Sequence, residues 1–162
     1  MSILLKVLSV FLLLCTNLAQ ASHDELISTK QELLKVDQAY TPGLGEIMAG
    51  IQLRHAKLWY AGIARNWRLA KYELEEILEG FEDAKKYQPD FKGKPIAEMI
   101  SQITSDPINK LEQAIEAKDR AAFKKSFDSM SHACNACHTA NEYDFISIQR
   151  PTTLPLTNQR FN

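Results

Sequence analysis

The sequence predicts an all-α protein, an antiparallel up-down-up-down four-helix bundle with an extended C-terminal tail. Three observations predict it. Apolar residues recur at steps of three and four in separate long stretches, which puts them on one helix face in each. No convincing alternating strand run and no internal repeat interrupts them. The stretches are joined by short segments, several carrying Pro, Gly or Asp, and short loops between consecutive long helices favour antiparallel neighbours. Composition fits one folded domain: of 162 residues, 45% are hydrophobic and 24% charged, with six Gly and six Pro. Those fractions are not those of a disordered, collagen-like or low-complexity chain.

The first element is an address. Residues 1–21 carry Lys6 as their only charge, an apolar run from Val7 to Leu14 and the small-residue triplet Ala19-Gln20-Ala21. That order is the pattern of a secretory signal peptide. The apolar run falls short of the ~20 residues a bilayer span needs, so a retained anchor is the poorer reading. Cys15 raises lipid attachment as an alternative, but Leu13-Leu14 lacks the small residue expected ahead of a lipidated cysteine. Removing residues 1–21 takes away Lys6 and Cys15, leaving 18 basic against 20 acidic side chains, a formal charge of −2, and two cysteines. That balance excludes a generally basic nucleic-acid binder. No other apolar stretch is long enough for stable membrane insertion. A soluble, exported, periplasmic product is expected, with residues 22–142 forming the bundle and residues 143–162 the tail.

The helices follow in order. Asp24 to Tyr40 is weakly periodic and ends at Thr41-Pro42-Gly43. From Leu44 to Gly62, Met48, Ile51, Gln52, His55 and Trp59 form one stripe. Asn66 is placed to cap a second helix that runs to Tyr87 and stops before Pro89. Its Leu69, Leu74, Ile77, Leu78 and Phe81 oppose a Glu-rich face, including Glu73, that is expected to be solvated. After the loop Gln88 to Lys94, a third helix starts with Pro95 as its first residue. It continues through Ile96, Met99, Ile100 and Ile103, and an interruption is expected at Ser105-Asp106-Pro107 before Ile108, Leu111 and Ile115 resume the period. Asp119 is placed to cap a fourth helix, in which Phe123, Phe127, Met130, Cys134 and Cys137 make an a/d seam. From Tyr143 to Asn162 the chain is mixed, with Pro151 and Pro155, and is read as extended.

Cys134-Asn135-Ala136-Cys137-His138 is a C-x-x-C-H sequence, the attachment signature of c-type haem. On a helix, residues i, i+3 and i+4 share a face, so both thiols and the imidazole point at one object. Cys134 and Cys137 are then covalent haem thioethers and His138 the proximal iron ligand. The rivals lack their context. A redox C-x-x-C pair needs a βαβ pattern. Zinc held by His132, Cys134, Cys137 and His138 would need four ligands from seven helical residues to close a tetrahedron. A disulfide within one helical turn is geometrically poor.

Topology nominates the sixth ligand. In the predicted bundle, the end of helix four lies beside the start of helix one, where Met48 sits on the buried stripe. His55 shares the stripe but lies seven residues on, ~10 Å further along at the α-helical rise. Its expected role is a hydrogen-bonded core position beside Trp59. Met99, near the start of helix three, is the main competitor of Met48, and an open five-coordinate iron or another donor is the remaining option.

A helical bundle with this motif near the end of its last helix resembles the cytochrome c′ / cytochrome c556 family. Met48 looks like the family's distal position, where c556-type members place a methionine on the iron and typical cytochromes c′ leave an open site. The stretch Asp119-Arg120-Ala121-Ala122-Phe123 is also family-like. The similarity covers residues 40–142. Two departures stand out: Glu142 occupies a position where the family carries Arg or Lys, and the tail beyond Tyr143 is longer than the family's. Phe145, Ile146 and Ile148 are placed to fold back over the haem edge or the bundle end, and their apolar character makes a loose secreted tail the poorer reading.

With His138 and Met48 both on iron, one covalently attached haem c has no open position for substrate, so an electron carrier rather than an enzyme is expected. Its partners would be periplasmic redox proteins, met through a small, transient interface. Lys85, Lys86, Lys92 and Lys94 fall at the haem end, where they could neutralise haem propionates or steer an acidic partner, although a solvated surface loop explains them equally well. A gas-binding protein for NO or CO is the alternative, and an accessory haem subunit of a larger oxidoreductase is the third reading. The resemblance also implies a possible homodimer.

Overall fold

A computed structural model describes residues 20–32, 40–156 and 158–162. The chain divides into two compact units, Met1–Thr41 and Pro42–Asn162. In the first, residues 20–32 are helical and exposed throughout. Residues 1–19, which hold most of the expected signal peptide, and residues 33–39 lie outside the described residues.

The second unit is all-helical: α1 (Leu44–Ile63), α2 (Trp67–Tyr87), α3 (Ile96–Glu116) and α4 (Arg120–Ala140). Among the described residues there is no strand, and no helix is long and apolar enough to cross a membrane. α1 packs on α2 and α3 on α4, with further contacts from α2 to α3 and from α1 to α4, an arrangement compatible with a helical bundle. Glycine sets two of the close approaches. A Cβ on Gly62 would collide with the ring of Phe123 on α4, and one on Gly80 of α2 would lie 2.6 Å from Ile51 Cγ1 on α1. Aromatic rings fill the resulting core, with Phe127 centred 4.9 Å from Trp59 and 6.0 Å from Phe123.

Local chemistry fixes the helix starts. Asn66 Oδ1 accepts from the Leu69 amide, and Asp119 Oδ1 accepts from the Ala121 and Ala122 amides, so both expected caps are present. Pro95 stands one position earlier than expected, as the N-cap of α3 rather than its first residue. A tight turn delivers it: Phe91 and Lys94 exchange both backbone hydrogen bonds across Lys92 and Gly93, which have φ of 51° and 77°. Two positive φ values in a two-residue connection define a type I′ turn.

Three helices end alike. Arg65, Lys118 and Glu142 each take a left-handed φ just past α1, α3 and α4. The following residue donates back five positions: Asn66 to the Ala61 carbonyl, Asp119 to Ala114 and Tyr143 to His138. This is the Schellman closure, built here on side-chain-bearing residues where glycine is usual.

Two expectations need correction. α3 is continuous through Ser105-Asp106-Pro107. Pro107 supplies no N–H to the Ile103 carbonyl, and an interior proline costs about 3 kcal/mol. Burial on both sides of it, at Ile100 and Thr104 before and Ile108 and Leu111 after, outweighs that local penalty. Glu73, read as solvated, is 0% exposed. It faces α1, where Lys57 Nζ lies 2.9 Å and Arg54 Nη1 3.2 Å from its carboxylate oxygens. Two cations on the neighbouring helix make the burial of this charge tolerable, since buried charge is retained only when paired.

Candidate functional site

A cavity of about 270 Å³ opens between the helices. Its walls come from the start of α1 (Met48, Ile51, His55), the end of α2 (Ile77, Phe81), the start of α3 (Ile96, Ile100) and the end of α4 (Met130, Cys134, Cys137, His138). Ile146 and Ile148 of the tail complete it. Four residues singled out from the sequence for one centre, Met48, Cys134, Cys137 and His138, thus line one space. Met99 does not line it. One position before the buried Ile100, it is turned about 100° off that stripe, and its Sδ lies 3.6 Å from Asn141 Nδ2 instead.

Cys134 and Cys137 are half-buried and free. Burial pushes the Cys134 thiol up to about 11 and also raises Cys137, so both are protonated at neutral pH. Neither has the thiolate character that redox cysteines need. Among the described residues no three His, Cys, Asp or Glu side chains gather around a point where they could hold an ion. His132 lies exposed on another face of α4.

His138 is half-buried, with Nδ1 2.7 Å from the Ile146 carbonyl oxygen. A carbonyl only accepts, so Nδ1 donates in this contact; in the neutral ring that leaves the lone pair on Nε2, the form an imidazole takes when it ligates a metal. His55 is the opposite case. It is 4% exposed, its ring is centred 4.3 Å from that of Phe127 at a tilt of 36°, and its Nε2 lies 2.8 Å from Ser131 Oγ. Ser131 spends its hydroxyl proton on the Phe127 carbonyl at 3.0 Å, so it must accept from His55 Nε2–H. That nitrogen has no lone pair to offer. Burial lowers the His55 pKa to about 4, which keeps the ring neutral at physiological pH.

The donor set fits a haem: two thiols one helical turn apart, an imidazole, a thioether from another helix and walls that are mostly apolar, with Ile51, Ile77, Phe81, Ile96 and Ile100 among them. Asn141 adds an unpartnered buried acceptor, Oδ1, in the cavity lining. Its Nδ2 donates to the Cys137 carbonyl at 2.8 Å.

The tail was misjudged in part. A turn from Tyr143 to Ile146 brings Ile146 and Ile148 into the cavity lining, whereas Phe145 is 75% exposed and lies outside that lining. Sequence reasoning also missed Asn135, whose side chain donates to the Ile148 carbonyl at 2.8 Å and accepts from the Ile148 amide at 2.7 Å. Met130 was read only as seam packing, yet it lines the cavity too. The four lysines at this end are each engaged: Lys85 with Glu82, Lys86 with Tyr87, Lys92 with Tyr143 and Lys94 with Glu142.

No protein-family model, no curated protein and no solved structure matches this chain.

Proposed function

We propose that the chain is an exported c-type monohaem cytochrome, similar to the cytochrome c′ / cytochrome c556 family, that passes single electrons between periplasmic redox proteins. Its four helices run up-down-up-down and place the haem at one end of the bundle. The observation that carries this reading is the convergence of Met48, Cys134, Cys137 and His138 on one cavity. Support for the topology comes from the two ends of α1: Gly62 meets Phe123 at the start of α4, and Met48 shares the cavity with Cys137 at its end.

Cys134 and Cys137 would hold the haem covalently, and His138 would offer Nε2 and Met48 its thioether to the iron. A bound haem supplies one-electron chemistry at iron, at a potential that a thioether ligand raises. The chain's own part is to keep both ligands on opposing helices, so that neither has to move when the charge changes. Ile51, Ile77, Phe81 and Ile100 exclude water from the cavity walls. His55, held by Ser131, has no free Nε2 for acid–base work, which supports a carrier rather than an enzyme.

A second reading, reversible NO or CO binding, has one observation in its favour. The cavity edge beside Met48 is open: Met48 is only half-buried, and Gln52, which also lines the cavity, is exposed. Absorption spectra of both redox states separate the two. The carrier reading expects a low-spin wild type that does not bind CO, and a Met48→Ala variant that turns high-spin and binds it. A wild type that binds CO tightly decides for the second reading, and an unchanged Met48→Ala spectrum removes Met48 as a ligand.

A further inference from the structure

We propose that the C-terminal tail is a strap that sets the donor strength of His138, with the Ile146 carbonyl as its contact and Asn135 as the positioning residue that holds it. The proposal rests on the haem reading above.

The strap begins at the left-handed Glu142, which reverses the chain so that the Tyr143 amide caps the His138 carbonyl at 2.8 Å. A further turn, with the Ile146 amide 2.9 Å from the Tyr143 carbonyl, brings the Ile146 carbonyl oxygen back to 2.7 Å from His138 Nδ1. The same histidine is therefore gripped at its backbone and at its ring by residues only a few positions downstream. Two clamps hold the strap down. Asn135 makes its reciprocal pair with the Ile148 backbone, its Nδ2 donating to the carbonyl while its Oδ1 accepts from the amide. Arg150 forks onto both Asp128 oxygens at 2.7 and 2.6 Å while its guanidinium lies 4.7 Å above the Trp59 ring. Beyond these, Phe161 is 6% exposed and packs against Tyr60. A loose secreted end has no reason to bury an aromatic ring or to use both faces of an asparagine.

The electronic consequence follows from the hydrogen bond. An acceptor on Nδ1–H fixes the tautomer and raises the basicity of Nε2. A more basic ligand stabilises ferric over ferrous iron, so the docked strap lowers the potential and a released strap raises it. Asn135 stands at a variable position of the C-x-x-C-H motif, so replacing it leaves the thiols and the imidazole in place.

The test compares full-length, haem-loaded wild type with Asn135→Ala and with the double variant Asn135→Ala/Arg150→Ala. Hydrogen exchange over residues 143–150 reads release of the strap, because the Ile148 amide loses its acceptor. Gly62→Ala, which disturbs α1 against α4 away from the cavity, serves as the destabilised control. Release is expected to favour ferrous iron roughly tenfold, about 59 mV upward for a one-electron couple, while the control leaves the potential where it was. A strap that exchanges freely with no change in potential overturns the proposal, as does unchanged exchange in the double variant. A shift of equal size in the control also overturns it, since stability alone would then explain the effect. A wild type that takes up no haem overturns the proposed function itself, which the absence of haem absorbance shows before any variant is compared.

Discussion

His55 Nε2 lies 2.8 Å from Ser131 Oγ inside the bundle, a polar link between α1 and α4 at residues 76 positions apart. With burial holding the His55 pKa near 4 against 6.5 for a free side chain, the ring makes stability depend on pH. Above pH 6.5 it is neutral in both folded and unfolded chains. Between 6.5 and about 4 only the unfolded chain takes up the proton, so stability falls as pH falls; below about 4 both do, and the loss levels off. The full loss is on the order of 3 kcal/mol. Urea unfolding at a series of pH values should show this slope in wild type and lose most of it in His55→Leu.

Glu73 is the buried charge on which Arg54 and Lys57 converge. Truncating one partner of such a group leaves the others poorly compensated, which costs about 3 kcal/mol. Chemical denaturation of Glu73→Ala should register a loss of that order. Exposed Glu75, whose pairing with Lys71 is at 4.0 Å, should lose little by the same substitution, because surface pairs contribute about 0–1 kcal/mol.

Lys118 closes α3 with a φ of 54°, a conformation that disfavours a Cβ. Glycine removes that penalty of about 1–2 kcal/mol but gives back 0.5–1 kcal/mol in chain entropy. Lys118→Gly should therefore raise stability by up to about 1 kcal/mol in thermal or urea unfolding. A loss would mean that the side chain itself holds the turn.

What the sequence makes legible divides by range. The caps at Asn66 and Asp119 and the stop at Pro89 depend on neighbours within a few residues, and they are where spacing puts them. The convergence of Met48 with the Cys134–His138 motif was legible because helical periodicity and short loops constrain which ends meet. Pro107 was misread because its penalty is local while the burial that outweighs it is distributed along α3. Glu73 was misread because its partners lie on another helix and leave no mark in its own periodicity. Met99 was placed at the right end of the bundle but at the wrong angle: Met99 and Ile100 both fit a step of three or four from Ile96, and the core takes the Ile96, Ile100, Thr104, Ile108 row, about 100° away from Met99. The grip of Ile146 on His138 is a backbone contact, and no residue type in the tail announces it.

The central claim, a haem welded to α4, is tested most directly by the intact mass of the mature protein made in a host that carries c-type maturation machinery. The account expects a product heavier by one haem, coloured, and retaining its pigment under denaturing acid extraction, with Cys134 and Cys137 no longer reactive toward thiol reagents. A colourless product at the apo mass, with both thiols free, would contradict it.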